Sequence, residues 1–141
     1  MADQLKLEIV TPDRHVVNDY AQEVQIPGAN GYLGVLPGHA PLISELAVGE
    51  ISYRKNGHVF RLAVAWGFAE ILPDKVTILA ETAERPEEID IEAARRARDE
   101  AAARMKAMEA DFEQANRAYQ VAEARLKVAG ASSGDVANIV P

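Results

Sequence analysis

The chain has 141 residues and a formal net charge of −7, with 48% hydrophobic residues, 26% charged residues and no cysteine. This composition is typical of a soluble, folded protein, and the lack of cysteine excludes a disulfide framework, a cysteine-ligated zinc site and a thiol nucleophile. The acidic balance argues against nucleic-acid binding, and with no export signal and no apolar run near the roughly 20 residues that span a bilayer, we expect no direct membrane insertion.

The residues before Pro86 predict a series of short β-strands. Apolar and charged residues alternate in the segment 5–10, LKLEIV, and again around Val24, which is the period of a half-buried strand. Asn56-Gly57 supplies the positive φ angles of a type I′ hairpin turn, and Pro73-Asp74 marks a second hairpin. Short strands with frequent turns predict an antiparallel β-sandwich, or alternatively a barrel.

The residues after Pro86 predict two helices. Pro86 suits the first turn of a helix, and apolar residues then recur at spacings of three and four in two stretches. The first stretch is Ala94, Ala97, Ala101, Met105 and Met108, and the second is Phe112, Ala115, Tyr119, Ala122, Leu126 and Ala129. We place a break near Ala107–Asp111, where Asp111 and Gln114 predict a capping box, and the end of the second helix at Gly130.

Together these patterns predict an α+β chain in three parts. Residues 1–86 form the β-sandwich, residues 87–130 fold back as an antiparallel helical hairpin, and residues 131–141 form a flexible tail. The facing stripes are mostly alanine, which buries little area, so the hairpin is predicted either to be mobile or simply to dock on the sandwich.

Residues that could carry catalysis do not cluster in the sequence. His15, His39 and His58 have no partners at metal-ligand spacing, so we expect no metal site. The spaced glycines of the segment 28–34 lack the Lys-Ser/Thr of a phosphate loop and are interpreted as tight turns. No serine lies in a nucleophile elbow, so we expect that the chain is not an enzyme.

The segment 28–43, GANGYLGVLPGHAPLI, contains too much Gly and Pro for an ordinary strand and too many apolar residues for an ordinary loop. Taken with LKLEIVTPDR before it, and with AVAWGFAEI and KVTILAETAERPEEID after it, this string resembles the ε subunits of bacterial F-type rotary ATP synthases. The same family includes the chloroplast ε and mitochondrial δ subunits, and the resemblance extends from residue 1 to about residue 130.

The resemblance implies a ten-stranded β-sandwich followed by a helical hairpin in a non-catalytic subunit of the central rotor. It implies that the sandwich binds the γ subunit and rests on the ring of c subunits. It also implies that the hairpin either folds on the sandwich or extends along γ to the α and β subunits, where it restrains ATP hydrolysis. The expected location is peripheral, at the cytoplasmic face of the bacterial inner membrane.

The resemblance also assigns roles to individual residues of the glycine-rich segment. Predicted contacts to the c ring are Asn30, Gly31 and Tyr32, and predicted contacts to γ are His39, Leu42 and Ser44. The apolar residues of the segment are expected to serve both the core and a partner surface, and the alternative is that Leu33, Val35, Leu42 and Ile43 are all core.

Five basic residues of the first helix are implied to meet the catalytic subunits when the hairpin extends. They are Arg95, Arg96, Arg98, Arg104 and Lys106. The alternative is an ordinary solvated helix face with pairs such as Glu100–Arg104, worth about 0.3 kcal/mol each.

Some relatives bind ATP through a motif of the form Ile/Leu-Asp-x-x-Arg-Ala. This chain has Ile89 and Asp90 of that motif, but Ala93 replaces its arginine. Asp90 is therefore the one candidate nucleotide contact, and we expect weak ATP binding at most and no bound cofactor.

An alternative interpretation from a different functional class is a free-standing β-sandwich that binds other proteins and uses its helical hairpin as a dimerisation arm. Co-purification separates the two, because a rotor subunit should retain γ whereas such a module should self-associate.

Overall fold

The computed structural model describes residues 4–107 and 111–130, so the predicted flexible tail lies outside the described residues. In these residues, eight strands precede a 3₁₀ turn at Pro86–Glu88 and two helices. The strands are β1 (Leu5–Val10), β2 (His15–Ala21), β3 (Glu23–Gly28), β4 (Gly31–Val35), β5 (Leu42–Leu46), β6 (Gly49–Lys55), β7 (His58–Leu72) and β8 (Lys75–Glu84). The helices are α1 (Ile91–Lys106) and α2 (Phe112–Val128).

The strands form one hydrogen-bonded sheet that folds over a single apolar core. Its order is β2-β1-β8-β7-β5-β3-β4, and β6 pairs with both β3 and β7. The core includes Leu5, Leu7, Ile9, Val24, Ile26, Ile51, Leu62, Ile71 and Ile78, none of which exposes any surface. The predicted class, a β-sandwich followed by a helical hairpin, is confirmed, although β1 and β8 pair in parallel.

The resemblance implied ten strands, whereas the described residues form eight. Part of the difference is β7, which runs through Trp66 as one continuous strand of 15 residues. β6 pairs with the first part of β7 and β5 with the second part. A single strand therefore joins both layers of the sandwich.

A kink at Trp66-Gly67 changes which face of β7 is buried. Both residues have positive φ, 49° and 139°. Leu62 and Val64 point into the core before the kink, and Ala69 and Ile71 do so after it, so the buried positions change from even to odd numbers. A Cβ on residue 67 would lie 1.8 Å from the carbonyl oxygen of Leu79, so only glycine fits there. The left-handed conformation of Trp66 costs roughly 1–2 kcal/mol.

The predicted turn between β6 and β7 is confirmed. Asn56 and Gly57 have φ angles of 53° and 81°, as a type I′ turn requires. Next to it, the rings of Tyr53 and Phe60 stack with their centroids 5.2 Å apart.

The first helix begins later than the sequence predicted. Pro86–Glu88 forms a 3₁₀ turn, and α1 starts only at Ile91. The reason is local: the carboxylate of Asp90 accepts a hydrogen bond from the backbone N–H of Ala93 at 3.0 Å, which caps the helix there.

The break between the helices lies where the sequence placed it, since α1 ends at Lys106 and α2 begins at Phe112. The predicted capping box is wrong, because Asp111 makes no side-chain cap and instead pairs with Arg104 across the turn. Gly130 follows the end of α2 with a φ of 79°, which confirms its role as the C′ residue.

The hairpin lies folded on the sandwich, and α2 uses two faces. Its first face packs on α1 through small residues, and the buried members of this stripe are Ala94, Ala101, Ala115, Ala122 and Leu126. Its second face places Ala124 and Val128 against Ala63 of β7 and Ile89, a contact that the sequence analysis did not predict. Of the predicted stripe, Ala97 and Phe112 are exposed, and Met108 lies outside the described residues.

Candidate partner-binding surfaces

The predicted c-ring contacts lie at the tip of the β3–β4 hairpin. Gly28 pairs with Gly31 across this turn, and Asn30 and Gly31 are exposed. The ring of Tyr32 is also exposed, but its hydroxyl oxygen accepts a hydrogen bond from the backbone N–H of Glu50 at 3.1 Å. This bond fixes Tyr32 beside the start of β6, and the assignment of all three residues to the c ring stays a prediction.

The three predicted γ contacts lie in β5 or just before it. The Nδ1 atom of His39 lies 2.7 Å from the carbonyl oxygen of Ala40, and the hydroxyl of half-buried Ser44 donates to the carbonyl of Glu45. Leu42 is exposed. The side chains of Leu42 and Ser44 lie on one face of β5, since residues two apart share a face of a strand. Their contact with γ stays a prediction.

One cleft of about 370 Å³ brings the two predicted sets together. Asn30, Gly31 and Tyr32 line it from the β3–β4 turn, and Leu42 and Ser44 line it from β5. His39 is absent from this lining. The glycine-rich segment therefore makes one end of the sandwich, where the predicted c-ring and γ contacts meet.

An exposed apolar patch on the outer face of β5, β7 and β8 consists of Ile43, Phe68 and Leu79. Phe68 and Leu79 are directly opposite each other in the β7–β8 pair, and each is 54% exposed. Ile43, on the adjacent strand, is 71% exposed. Large apolar side chains grouped on one face of a monomer commonly mark a protein interaction site.

The four apolar residues of the glycine-rich segment are not all core, as the alternative required, and the role of the exposed ones in binding a partner stays a prediction. Val35 is fully buried and Leu33 packs partly against the core, whereas Leu42 and Ile43 are exposed. The sequence analysis missed Phe68 because the kink before it resets the buried face of β7. It missed Leu79 because that residue stands in a continuous apolar run with Ile78 and Ala80.

An ion pair and several hydrogen bonds hold the segment between the sandwich and the hairpin against the sandwich. The carboxylate of Glu88 accepts hydrogen bonds from Arg14 at 2.8 and 3.0 Å and from the backbone N–H of Arg85 at 2.8 Å. The Arg14 hydrogen bond is the main reason that the pKa of Glu88 is lowered. The Arg85 guanidinium donates to the carbonyl of Val16 at 3.0 Å. The chain is therefore anchored to the sandwich as far as Glu88, and movement of the hairpin would begin beyond it.

The five basic residues of the first helix differ in their surroundings. Arg95 pairs with Glu92 at 2.8 Å, Arg98 pairs with Asp99 at 3.0 Å, and Arg104 pairs with Asp111. Arg96 and Lys106 are exposed and form no ion pair within residues 4–107 and 111–130. The predicted pair Glu100–Arg104 does not form, because Arg104 pairs with Asp111 instead. The contact of these residues with catalytic subunits stays a prediction.

The candidate nucleotide contact already has a structural role. The Asp90 carboxylate caps α1 through Ala93, and an ionised carboxylate can only accept hydrogen bonds. Of the arginines nearby on α1, Arg95 and Arg98 are engaged by acidic residues of the same helix. The described residues therefore do not present a free cluster of cations around Asp90.

We expect ATP to bind the isolated chain with a dissociation constant weaker than about 1 mM, or about −4 kcal/mol. Phosphate recognition relies on bidentate arginine, which Ala93 removes, and Glu100 adds negative charge two turns later. Titration calorimetry measures this, with Ala93→Arg as the gain-of-function control. Micromolar binding by the unmodified chain would contradict the expectation.

In residues 4–107 and 111–130, no group of three or more His, Asp or Glu side chains is placed to hold a metal ion. Neither α1 nor α2 combines the length and the apolar character that crossing a membrane requires.

Both the sequence and the fold have relatives among known proteins. Residues 4–86 match the family described as "ATP synthase, Delta/Epsilon chain, beta-sandwich domain". The chain is 64% identical over 106 residues to the ATP synthase epsilon chain of Koribacter versatilis, covering 75% of each chain. It is 46% identical over 108 residues to that of Geobacter metallireducens, covering 77% of this chain and 78% of the relative.

Among solved structures, the fold is similar to a chain in the Euglena gracilis mitochondrial ATP synthase, described as OSCP/F1/c-ring in rotational state 1. The TM-score is 0.80 at 26% identity, and the match covers 92% of this chain and 82% of that chain. The agreement therefore includes the helical hairpin as well as the sandwich.

Proposed function

The chain belongs to the ATP synthase delta/epsilon family and is a subunit of that complex, and on this premise we propose how its parts divide the work. Residues 1–86 attach the subunit to the rotor, and residues 87–130 regulate it. The subunit is non-catalytic, because its contribution is to hold and to restrain other subunits. It works peripherally, at the cytoplasmic face of the bacterial inner membrane.

The apolar patch is the observation that carries the attachment to γ. Ile43, Phe68 and Leu79 present large side chains to solvent on strands whose opposite face is core, and the docked hairpin covers a different region, around Ala63. Burying such a patch stabilises an interface at about 25 cal/mol per Å² of apolar area. In the assembled synthase, the γ subunit covers this patch.

The glycine-rich end of the sandwich provides the contact with the c ring. The turn at Asn30 and Gly31 is exposed, so it is accessible to a partner loop. The cleft beside it reaches Leu42 and Ser44, so contacts to γ and to the c ring adjoin at this end.

The helical hairpin acts as a brake on ATP hydrolysis. It is folded on the sandwich, and within the described residues the buried apolar residues of this interface are Ala63, Ile89, Ala124 and Val128, with Val48 and Ala129 partly buried beside them. A small interface of this kind is consistent with release at low cost. The extended hairpin would present Arg96 and Lys106, which have no acidic partner in the described residues, to acidic segments of the α and β subunits.

The alternative of a free-standing binding module with a dimerisation arm is not supported. Both apolar faces of α2 are occupied within the chain, one by α1 and the other by the sandwich. No comparable apolar face of α2 is left for a second copy.

Co-purification tests the proposed function. A tagged chain expressed in its own host should retain γ and the catalytic subunits on affinity resin, because its interface with γ is apolar and withstands moderate salt. Recovery of the chain alone, as a self-associated species by sedimentation, would instead favour the binding module.

A further inference from the structure

The apolar part of the interface between α2 and the sandwich is small. Of its four buried residues, Ala63 and Ala124 contribute one methyl group each, and only Ile89 and Val128 are larger. Alanine allows close approach but removes little area from water. The position of the hairpin is therefore expected to depend on other contacts as well.

Two arginines of α2 supply such contacts, and both reach strands of the sandwich. The first is Arg125, whose Nε and Nη2 atoms donate to the two carboxylate oxygens of Glu84 at 2.7 and 3.2 Å. The pair is two-pronged, and its side chains are only 22% and 30% exposed. Bidentate and partly desolvated arginine–carboxylate pairs are stronger than ordinary surface pairs.

The second contact is between Arg117 and Trp66. The guanidinium carbon of Arg117 lies 3.7 Å from the centre of the Trp66 ring, which is the geometry of a cation–π interaction. Ala97 of α1 lines the same cleft of about 300 Å³, so Trp66 faces both helices.

The backbone of β7 adopts an unfavourable conformation at Trp66, where the side chain faces the helices. Trp66 has a positive φ, and the following Gly67 permits the kink because no other residue fits against Leu79. Strained positions of this kind persist where the surrounding structure requires them, and they concentrate at functional sites. The kink turns the single tryptophan of the chain away from the regular strand pattern and toward the hairpin.

We propose that Arg117 and Arg125 form a two-point latch with Trp66 and Glu84 that holds the hairpin in its folded position. The two points are eight residues apart on α2, about two turns, so they fix the position of the helix along its length. The anchor at Glu88 lies outside the latch, so the hairpin can leave the sandwich while its base stays attached. The regulatory role of the latch rests on the proposed function of the hairpin as a brake on ATP hydrolysis.

The latch makes the folded state sensitive to salt. The Arg125–Glu84 attraction is screened by added ions, whereas the apolar contacts around Val128 are not weakened by them. Hydrogen exchange of the α2 backbone amides in the free, full-length chain measures how often the hairpin opens. High salt is expected to speed this exchange in the unmodified chain and to have less effect in a chain carrying Arg125→Gln.

Single variants test each point of the latch. Arg117→Gln and Arg125→Gln should each speed hydrogen exchange of the α2 backbone amides by about three- to tenfold, the range expected for losing one partly buried charged contact. Lys127→Gln is the matched control, because Lys127 is exposed on the same helix and forms no ion pair in the described residues. It should exchange like the unmodified chain.

A double-mutant cycle with Glu84→Gln and Arg125→Gln shows whether the effect of each variant comes from loss of this ion pair or from general destabilisation of the helix. The double variant should open no more than either single variant, because the second change removes a partner that is already unpaired. Acrylamide is an uncharged quencher, and its quenching of Trp66 fluorescence should rise in parallel with hydrogen exchange of α2. If all latch variants behave like Lys127→Gln, packing alone holds the hairpin and the latch is wrong.

These measurements use the free subunit and do not depend on the synthase. Failure of the latch would leave attachment to γ and the braking function untouched. Conversely, a hairpin with no effect on hydrolysis would leave the exchange results intact while removing their regulatory meaning.

Discussion

Replacement of Phe68 with lysine is expected to weaken binding of the subunit to γ by about 100-fold or more. The side chain is at the centre of the exposed patch, between Leu79 on β8 and β5 on the other side. A lysine there would carry a charge into an apolar interface and would have to lose its hydration, which costs several kcal/mol, and each 1.4 kcal/mol changes affinity about tenfold. Calorimetry or surface binding with purified γ measures the loss.

The same substitution should leave the sandwich folded. Phe68 is directly opposite Glu45 in the β5–β7 pair, so a lysine gains an opposite charge on the neighbouring strand. Tyr20→Lys is the matched control, because Tyr20 is an exposed aromatic residue on β2, away from the patch. Equal affinity of both variants for γ, with unchanged melting temperatures, would remove the patch from the interface.

Truncation after Glu88 is expected to raise the rate of ATP hydrolysis by the assembled synthase about fivefold or more. A fivefold change in rate requires that the hairpin raise the activation free energy by only about 1 kcal/mol. The cut keeps the ion pair between Arg14 and Glu88 and removes both helices. The truncated subunit should remain folded, because the main core contains no residue beyond Ala83. ATP synthesis should persist, since the patch and the glycine-rich end are retained.

A chain that ends at Gly130 is the control for this truncation. It keeps α1, α2 and the C′ glycine, and it should restrain hydrolysis as the full chain does. Reconstituted complexes carrying the two truncated subunits are compared under the same conditions. Equal hydrolysis rates for both would show that the hairpin is not a brake in this protein.

Local patterns in the sequence were enough to predict most of the secondary structure. The alternation in the segment 5–10 gave β1, and Asn56-Gly57 gave the turn between β6 and β7. The end of α1 and the role of Gly130 were predicted as well. These features depend on backbone conformation and short-range periodicity, which are properties of neighbouring residues.

Two local predictions were wrong, for different reasons. Asp111 was expected to cap α2, but Arg104 from the end of α1 takes its carboxylate, a partner that local spacing did not indicate. The first helix was expected to begin at Pro86, but the cap at Asp90 delays it. That second cap is itself local, so the sequence contained it and the analysis did not recognise it.

The amino-acid sequence by itself determined the order of strands and helices, and its glycine- and proline-rich segment was specific enough to indicate the family. Only the tertiary structure decided which apolar residues are buried, because burial depends on what another element covers. The kink at Trp66-Gly67 exchanges the faces of β7, so that Ala69 enters the core while Phe68 faces solvent. In the same way, α2 buries Ala124 and Val128 only because the folded hairpin brings them to Ala63 and Ile89, contacts between residues far apart in the chain.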